Sequence, residues 1–165
     1  MLVSYLWGTK GNKGWDNEQD VGGCCVCLLG TIAYAYISKS CFMKKDIADR
    51  KDIELLITSF YDKVRADEQI GYIFNDVANV DWPHHMPVMY DFWEGIIFYT
   101  GHYSGNPMLV HTNLNKQMPL TAEHFTRWMQ LFTATVNQLF EGEKAELAKQ
   151  RAMSISTTIQ IKLAS

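Results

Sequence analysis

The chain has 165 residues, of which 47% are hydrophobic and 20% charged, enough for one globular domain with a real core and unlike a disordered chain. A net charge of −3 argues against nucleic acid as the main partner, because a phosphate-backbone binder carries a basic excess or stripe. Five Trp, eight Tyr and eight Phe make the chain rich in flat rings, which suit a large planar ligand or ordinary packing.

Residues 1–42 differ from the rest. A Gly-rich polar stretch from Gly8 to Asp20 runs into an apolar stretch from Val21 to Ile37. That run of about 17 residues is at the short edge for a membrane span and is diluted by Gly22, Gly23 and Gly30. Asp16, Glu18 and Asp20 stand where a secretory signal would want basic residues. The segment reads as a poorly structured leader or a weak membrane anchor, and Met43-Lys44-Lys45-Asp46 reads as an ordinary cytoplasmic start. All four cysteines (Cys24, Cys25, Cys27 and Cys41) precede Met43. A disulfide framework for residues 43–165 is therefore excluded, and the Cys-Cys-x-Cys run lacks the paired spacing of a zinc site.

From Asp52 onward the periodicity is helical. Ile53, Leu56, Ile57, Phe60 and Val64 fall at steps of three and four, in a helix expected to end near Asp67 before a turn around Gly71. Met89, Phe92, Trp93 and Ile96 form the next stripe, in a helix entered through Trp82-Pro83, with Pro83 and Pro87 both expected in its first turn. Thr100 to Pro107 reads as a loop, Met108 to His111 as a short apolar piece, and the residues through Pro119 as a second loop. Thr121 starts a helix carrying Phe125, Trp128, Leu131, Phe132, Thr135 and Leu139. Gly142 breaks it, and Glu143 to Leu163 form a last, Ala-rich helix. The expectation is an all-α domain with a non-helical stretch between residues 100 and 120.

The five histidines, His84, His85, His102, His111 and His124, show no i, i+4 pair of the kind that makes a helix-face zinc site. A haem site needs only one committed imidazole against an apolar wall, and His111, beside a loop, suits that need or that of a surface or capping histidine. His85 shares a helix face with Met89 and Phe92, whereas neighbouring His84 points roughly 100° away. A polar ring on that stripe needs a partner or a ligand. Tyr61 and Trp128 each bring one hydrogen-bond donor to an interior stripe; each of the three also suits an ordinary satisfied core residue.

In this order the residues resemble the truncated haemoglobins, most closely group III. The resemblance rests on Phe60-Tyr61-Asp62-Lys63-Val64-Arg65, Ile73-Phe74-Asn75, Trp82-Pro83-His84-His85-Met86-Pro87-Val88-Met89 and Asp91-Phe92-Trp93. It continues through Tyr103-Ser104-Gly105-Asn106-Pro107-Met108 with His111, and His124-Phe125-Thr126-Arg127-Trp128. It runs from about Asp46 to Leu163 and leaves His102 and the leader without counterpart.

The resemblance implies a two-over-two helical globin in residues 43–165, with haem (iron protoporphyrin IX) between the helix bearing His85 and the segment bearing His111. It implies His111 as the iron ligand, Tyr61, His85 and Trp128 facing O2, NO or CO, and Phe60, Phe74, His85, Met89, Phe92, Trp93 and Phe132 around the cofactor. Tyr103, Lys116 and Arg127 are candidates for the propionates. The function expected is binding of O2 and related diatomics in the cytoplasm. The alternatives are a haem redox enzyme (a nitric oxide dioxygenase or peroxidase-like protein using an external reductase) and a cofactor-free helical interaction module. Neither nucleic acid nor membrane is expected as a partner.

Overall fold

Helix α1 (Arg50–Ala66) buries the whole stripe Ile53, Leu56, Ile57, Phe60 and Val64. Asp49 caps it by accepting from the Asp52 N–H at 3.2 Å, satisfying a donor that the first turn leaves unpaired. The structure, a computed structural model, describes residues 44–100 and 103–164. The leader expected in residues 1–42 and the loop histidine His102 lie outside the described residues.

Four further helices follow: α2 (Trp82–Phe98), α3 (Pro107–Gln117), α4 (Ala122–Leu139) and α5 (Glu143–Ala164). The described residues contain no strand, as the periodicity requires. α1 packs on α2 and α4, α4 on α5, and α2 on α5, giving the two-over-two sandwich, with α3 against α5. The core joins Phe60, Trp93 and Phe132 to Ala145, Ala148 and Ala152, whose small side chains let α5 lie close.

Three expectations are corrected. The stretch between residues 100 and 120 is not a run of loops, because α3 is regular over Pro107–Gln117. Pro107 at its first position needs no N–H, and Asn106 caps it by accepting from the Leu109 N–H at 3.1 Å. None of its residues is buried, so no apolar stripe advertised it. Pro87 lies inside α2 and not in its first turn, so the helix there lacks the N–H that would bond back to Pro83. Between α1 and α2, Ile73–Val77 form a π-helical turn where a plain connection was expected; the Ala78 N–H closes it on the Ile73 carbonyl at 2.8 Å.

The start of the domain is clamped to α5. The Asp46 carboxylate accepts from the backbone N–H groups of Ile47 (2.8 Å), Lys144 (2.9 Å) and Ala145 (2.9 Å). Gly142, at φ 145°, lets the chains meet: a Cβ there would lie 2.4 Å from the Asp46 Cγ. Burial alone would raise the Asp46 carboxyl, but the three N–H donors outweigh it and hold it below its usual 3.8. Its contribution is therefore present above the unfolded value and lost as pH falls through the lower folded one. Asp46→Ala should lower unfolding free energy by ~1–3 kcal/mol at pH 7, with the gap from wild type closing toward pH 3. Urea unfolding at the two pH values checks this.

Candidate functional site

Consecutive Phe60 and Tyr61 on α1 split their duties. Phe60 enters the core, edge-on to Trp128 (5.2 Å between centroids) and Phe132 (5.2 Å) of α4. Tyr61, 6% exposed, turns toward α2 and the π turn. Its ring stands against His85 (5.3 Å, 83°), Trp82 (5.6 Å) and Phe74 (6.1 Å). Burial pushes the Tyr61 phenol well above its usual 10.0, so it keeps its proton and acts as a donor.

His85 and His84 behave as the helical geometry requires: His84 is exposed, while the His85 Nε2 is buried and meets no hydrogen-bond partner among the described residues. Burial, and secondarily the charge of His84, push the His85 imidazole below 6.5, so it is neutral near pH 7. An unpartnered buried polar atom costs stability unless a water or a ligand meets it. The Trp128 indole lies nearly parallel to Phe132 (6°), which stacks in turn on Trp93 at 4.6 Å. Phe92 stands edge-on to Trp93 and Tyr103, and Met89 packs half-buried against the same core.

His111 stands apart from these rings, on α3. Its Nδ1 lies 2.7 Å from the Pro107 carbonyl oxygen, one turn back. A carbonyl only accepts, so this contact puts the proton on Nδ1 and leaves the Nε2 lone pair for a metal. Gly105 sits directly under Tyr103, where a Cβ would fall 2.3 Å from the phenol oxygen. A cavity of about 440 Å³ opens between the end of α2, the start of α3 and α5, walled by residues that include Phe92, Ile96, Met108, Ile155 and Ile159. Of the residues expected around a cofactor, only Phe92 borders it.

Phe60, Tyr61, Phe74, His85, Trp93, Trp128 and Phe132 are thus joined in one ring network, with Phe92 at its edge and His111 outside it. Sequence reasoning used Trp82 only as a helix start, although its i, i+3 spacing to His85 places them on one face. Arg127 is removed from the propionate candidates, because it donates twice to Asp67 (2.7 and 2.9 Å). Lys116 is exposed in the last turn of α3, and Tyr103 is half-buried. The His124 Nδ1 accepts from the Thr121 N–H at 3.2 Å, a capping role.

Among the described residues no three His, Cys, Asp or Glu side chains cluster as ligands for a bare metal ion. One imidazole whose Nδ1 is taken up by the Pro107 carbonyl, and on another helix a buried imidazole nitrogen without a protein partner among the described residues, fit a metal that brings its own planar ligand. In the haem-free chain His85 should also set a pH dependence. Its folded pKa lies below 6.5, so the unfolded chain binds more protons and stability falls as pH drops from about 6.5 toward the folded value. His85→Phe should remove that part of the slope, read as urea midpoints between pH 7.5 and 5.5.

Comparison with known proteins places the fold. No protein-family model matches the chain. The chain is 31% identical over 121 residues to the group 3 truncated hemoglobin ctb of Campylobacter jejuni, covering 72% of this chain and 93% of that protein. The crystal structure of a group III truncated hemoglobin from Campylobacter jejuni superposes with a TM-score of 0.65 at 32% identity, covering 73% of this chain and 95% of that one. With that identity over nearly the whole relative and the same fold, this chain belongs to the group III truncated haemoglobins.

Proposed function

We propose that residues 43–165 hold haem between α2 and α3 with the His111 Nε2 as axial ligand, and bind O2, NO or CO on the side of Tyr61, His85 and Trp128. The observation that carries this reading is the His111–Pro107 contact, which commits one ring nitrogen and leaves the other free. Membership of the truncated haemoglobins supports it. Haem, held by His111, would supply an iron atom able to bind a small ligand.

The chain's own groups do the rest. The Pro107 carbonyl orients the His111 ring and makes its Nε2 a better donor of electrons. Phe60, Phe74, Met89, Phe92, Trp93 and Phe132 keep water out and lower the local dielectric. Tyr61 stays protonated and offers O–H, Trp128 offers N–H, and neutral His85 offers a ring nitrogen with no protein partner. Fixed donors in such a pocket stabilise partial negative charge on a diatomic ligand.

Each hydrogen bond of ~1–3 kcal/mol slows ligand release by roughly 5- to 150-fold. Three donors where one would serve a carrier favour, as a second reading, redox chemistry on the ligand with electrons from an external reductase. Nitric oxide dioxygenation and a peroxidase-like reaction are the forms it would take. The cytoplasm remains the proposed compartment. No helix among the described residues is long and apolar enough to cross a membrane.

Purified chain given haemin should develop a Soret band that shifts with dithionite and CO. Tyr61→Phe and Trp128→Phe should each speed O2 dissociation, measured by stopped flow, by roughly tenfold or more. A fast wild-type rate unchanged in both variants contradicts the donor assignment.

A further inference from the structure

Trp82 is the best-connected ring at the site to which no role has been assigned. It stands at the first position of α2, half-buried. It lies perpendicular to His85 (5.8 Å, 89°), tilted against Tyr61 (5.6 Å, 61°) and stacked with Phe74 (6.4 Å, 27°). The Arg65 guanidinium covers its ring at 4.9 Å and is itself about half exposed, with Asp62 beside it at 4.0 Å. From solvent inward the order is therefore Arg65, Trp82, then His85 with its buried Nε2.

The indole fills the space between a wet cation and a dry imidazole, and no side-chain hydrogen bond from the described residues fixes it there. Its neighbour Asp81 gives α2 no side-chain cap, so the ring sits on a first turn closed by backbone hydrogen bonds alone. A ring held only by cation–π, edge and stacking contacts can swing aside without breaking a backbone hydrogen bond.

We propose that Trp82 is the gate of this site: it shields the His85 ring from water and sets the rate at which a diatomic ligand reaches Tyr61 and His85. The proposal rests on the reading of this site as a ligand pocket. Trp82 is a positioning residue and not a ligand to the metal. The lowered basicity of His85 agrees with it, since shielding from water is the main cause. The groups around that imidazole are Tyr61 from α1, and Trp82 and His84 from α2, with Arg65 outside them.

The test uses the full haem-loaded chain, reduced and saturated with CO, as wild type, Trp82→Ala and Trp82→Phe. Flash photolysis reads CO association from solvent, and NMR reads the titration midpoint of the His85 ring protons. In Trp82→Ala, association should rise roughly tenfold, a change well outside experimental scatter. The His85 midpoint should move up toward 6.5, and Trp82→Phe should return both values most of the way to wild type. A Trp82→Ala protein that loses thermal stability but keeps both readouts overturns the proposal, leaving Trp82 a packing residue. Failure of the wild type to take up haem would overturn the ligand reading separately. The His85 titration in the chain as purified would still decide the shielding role.

Discussion

The aromatic stack at the joint of three helices is the constraint on which the site depends. Trp128 lies flat on Phe132, Phe132 lies flat on Trp93, and Phe60 stands edge-on to the first two. α4, α2 and α1 are thereby fixed to one another by rings in preferred geometries, each pair contributing about 0.5–1.5 kcal/mol beyond its buried area. Two of the proposed ligand-facing donors take their placement from this stack. Trp128 is a member of it, and Tyr61 follows Phe60 on the same turn, so neither needs a hydrogen bond of its own to be aimed.

That arrangement explains how the molecule tolerates polar groups whose capacity is unspent. A buried imidazole nitrogen without a partner works against folding. The offsetting interactions lie away from the site, where chain segments distant in sequence are tied together. Asp46 joins the start of the domain to α5, Asp67 receives Arg127 across from α1 to α4, and Arg50 reaches Asp91 (2.7 Å) and Glu94 (2.6 Å) from α1 to α2. The Arg50 and Arg127 pairs are partly exposed, so each is modest and their value lies in fixing helix register. The long-range ion pairs and caps lie in the frame, away from Tyr61, His85 and Trp128.

How much of this was legible in the sequence follows from what each element buries. α1, α2, α4 and α5 each bury a face, and the stripes Ile53–Val64 and Phe125–Leu139 announced them within a residue or two. α3 has no fully buried residue, so periodicity was silent, and only the Asn106-Pro107 pair, a cap followed by a proline, spelled its start. His111 was singled out for its residue type, but the Pro107 carbonyl that sets its tautomer is an i−4 neighbour only once α3 is known to be a helix. His85 could be read as inward-facing from Met89 and Phe92. The layering of Trp82 and Arg65 over it could not, because those contacts join α1 to α2 across a connection whose π turn no propensity scale distinguishes from an ordinary one. Arg127, a propionate candidate by its charge, donates to Asp67 in the folded chain, a partner that its position in the sequence does not announce.

Everything proposed for the chemistry turns on His111 as the axial ligand. Resonance Raman spectroscopy of the reduced haem-loaded chain, as wild type and as His111→Gly with and without added imidazole, addresses it directly. The account predicts an iron–histidine stretching band in wild type, its loss in His111→Gly, and its return when imidazole fills the space left beside the Pro107 carbonyl. The same band persisting in His111→Gly without imidazole would show that another residue holds the iron and would contradict the assignment.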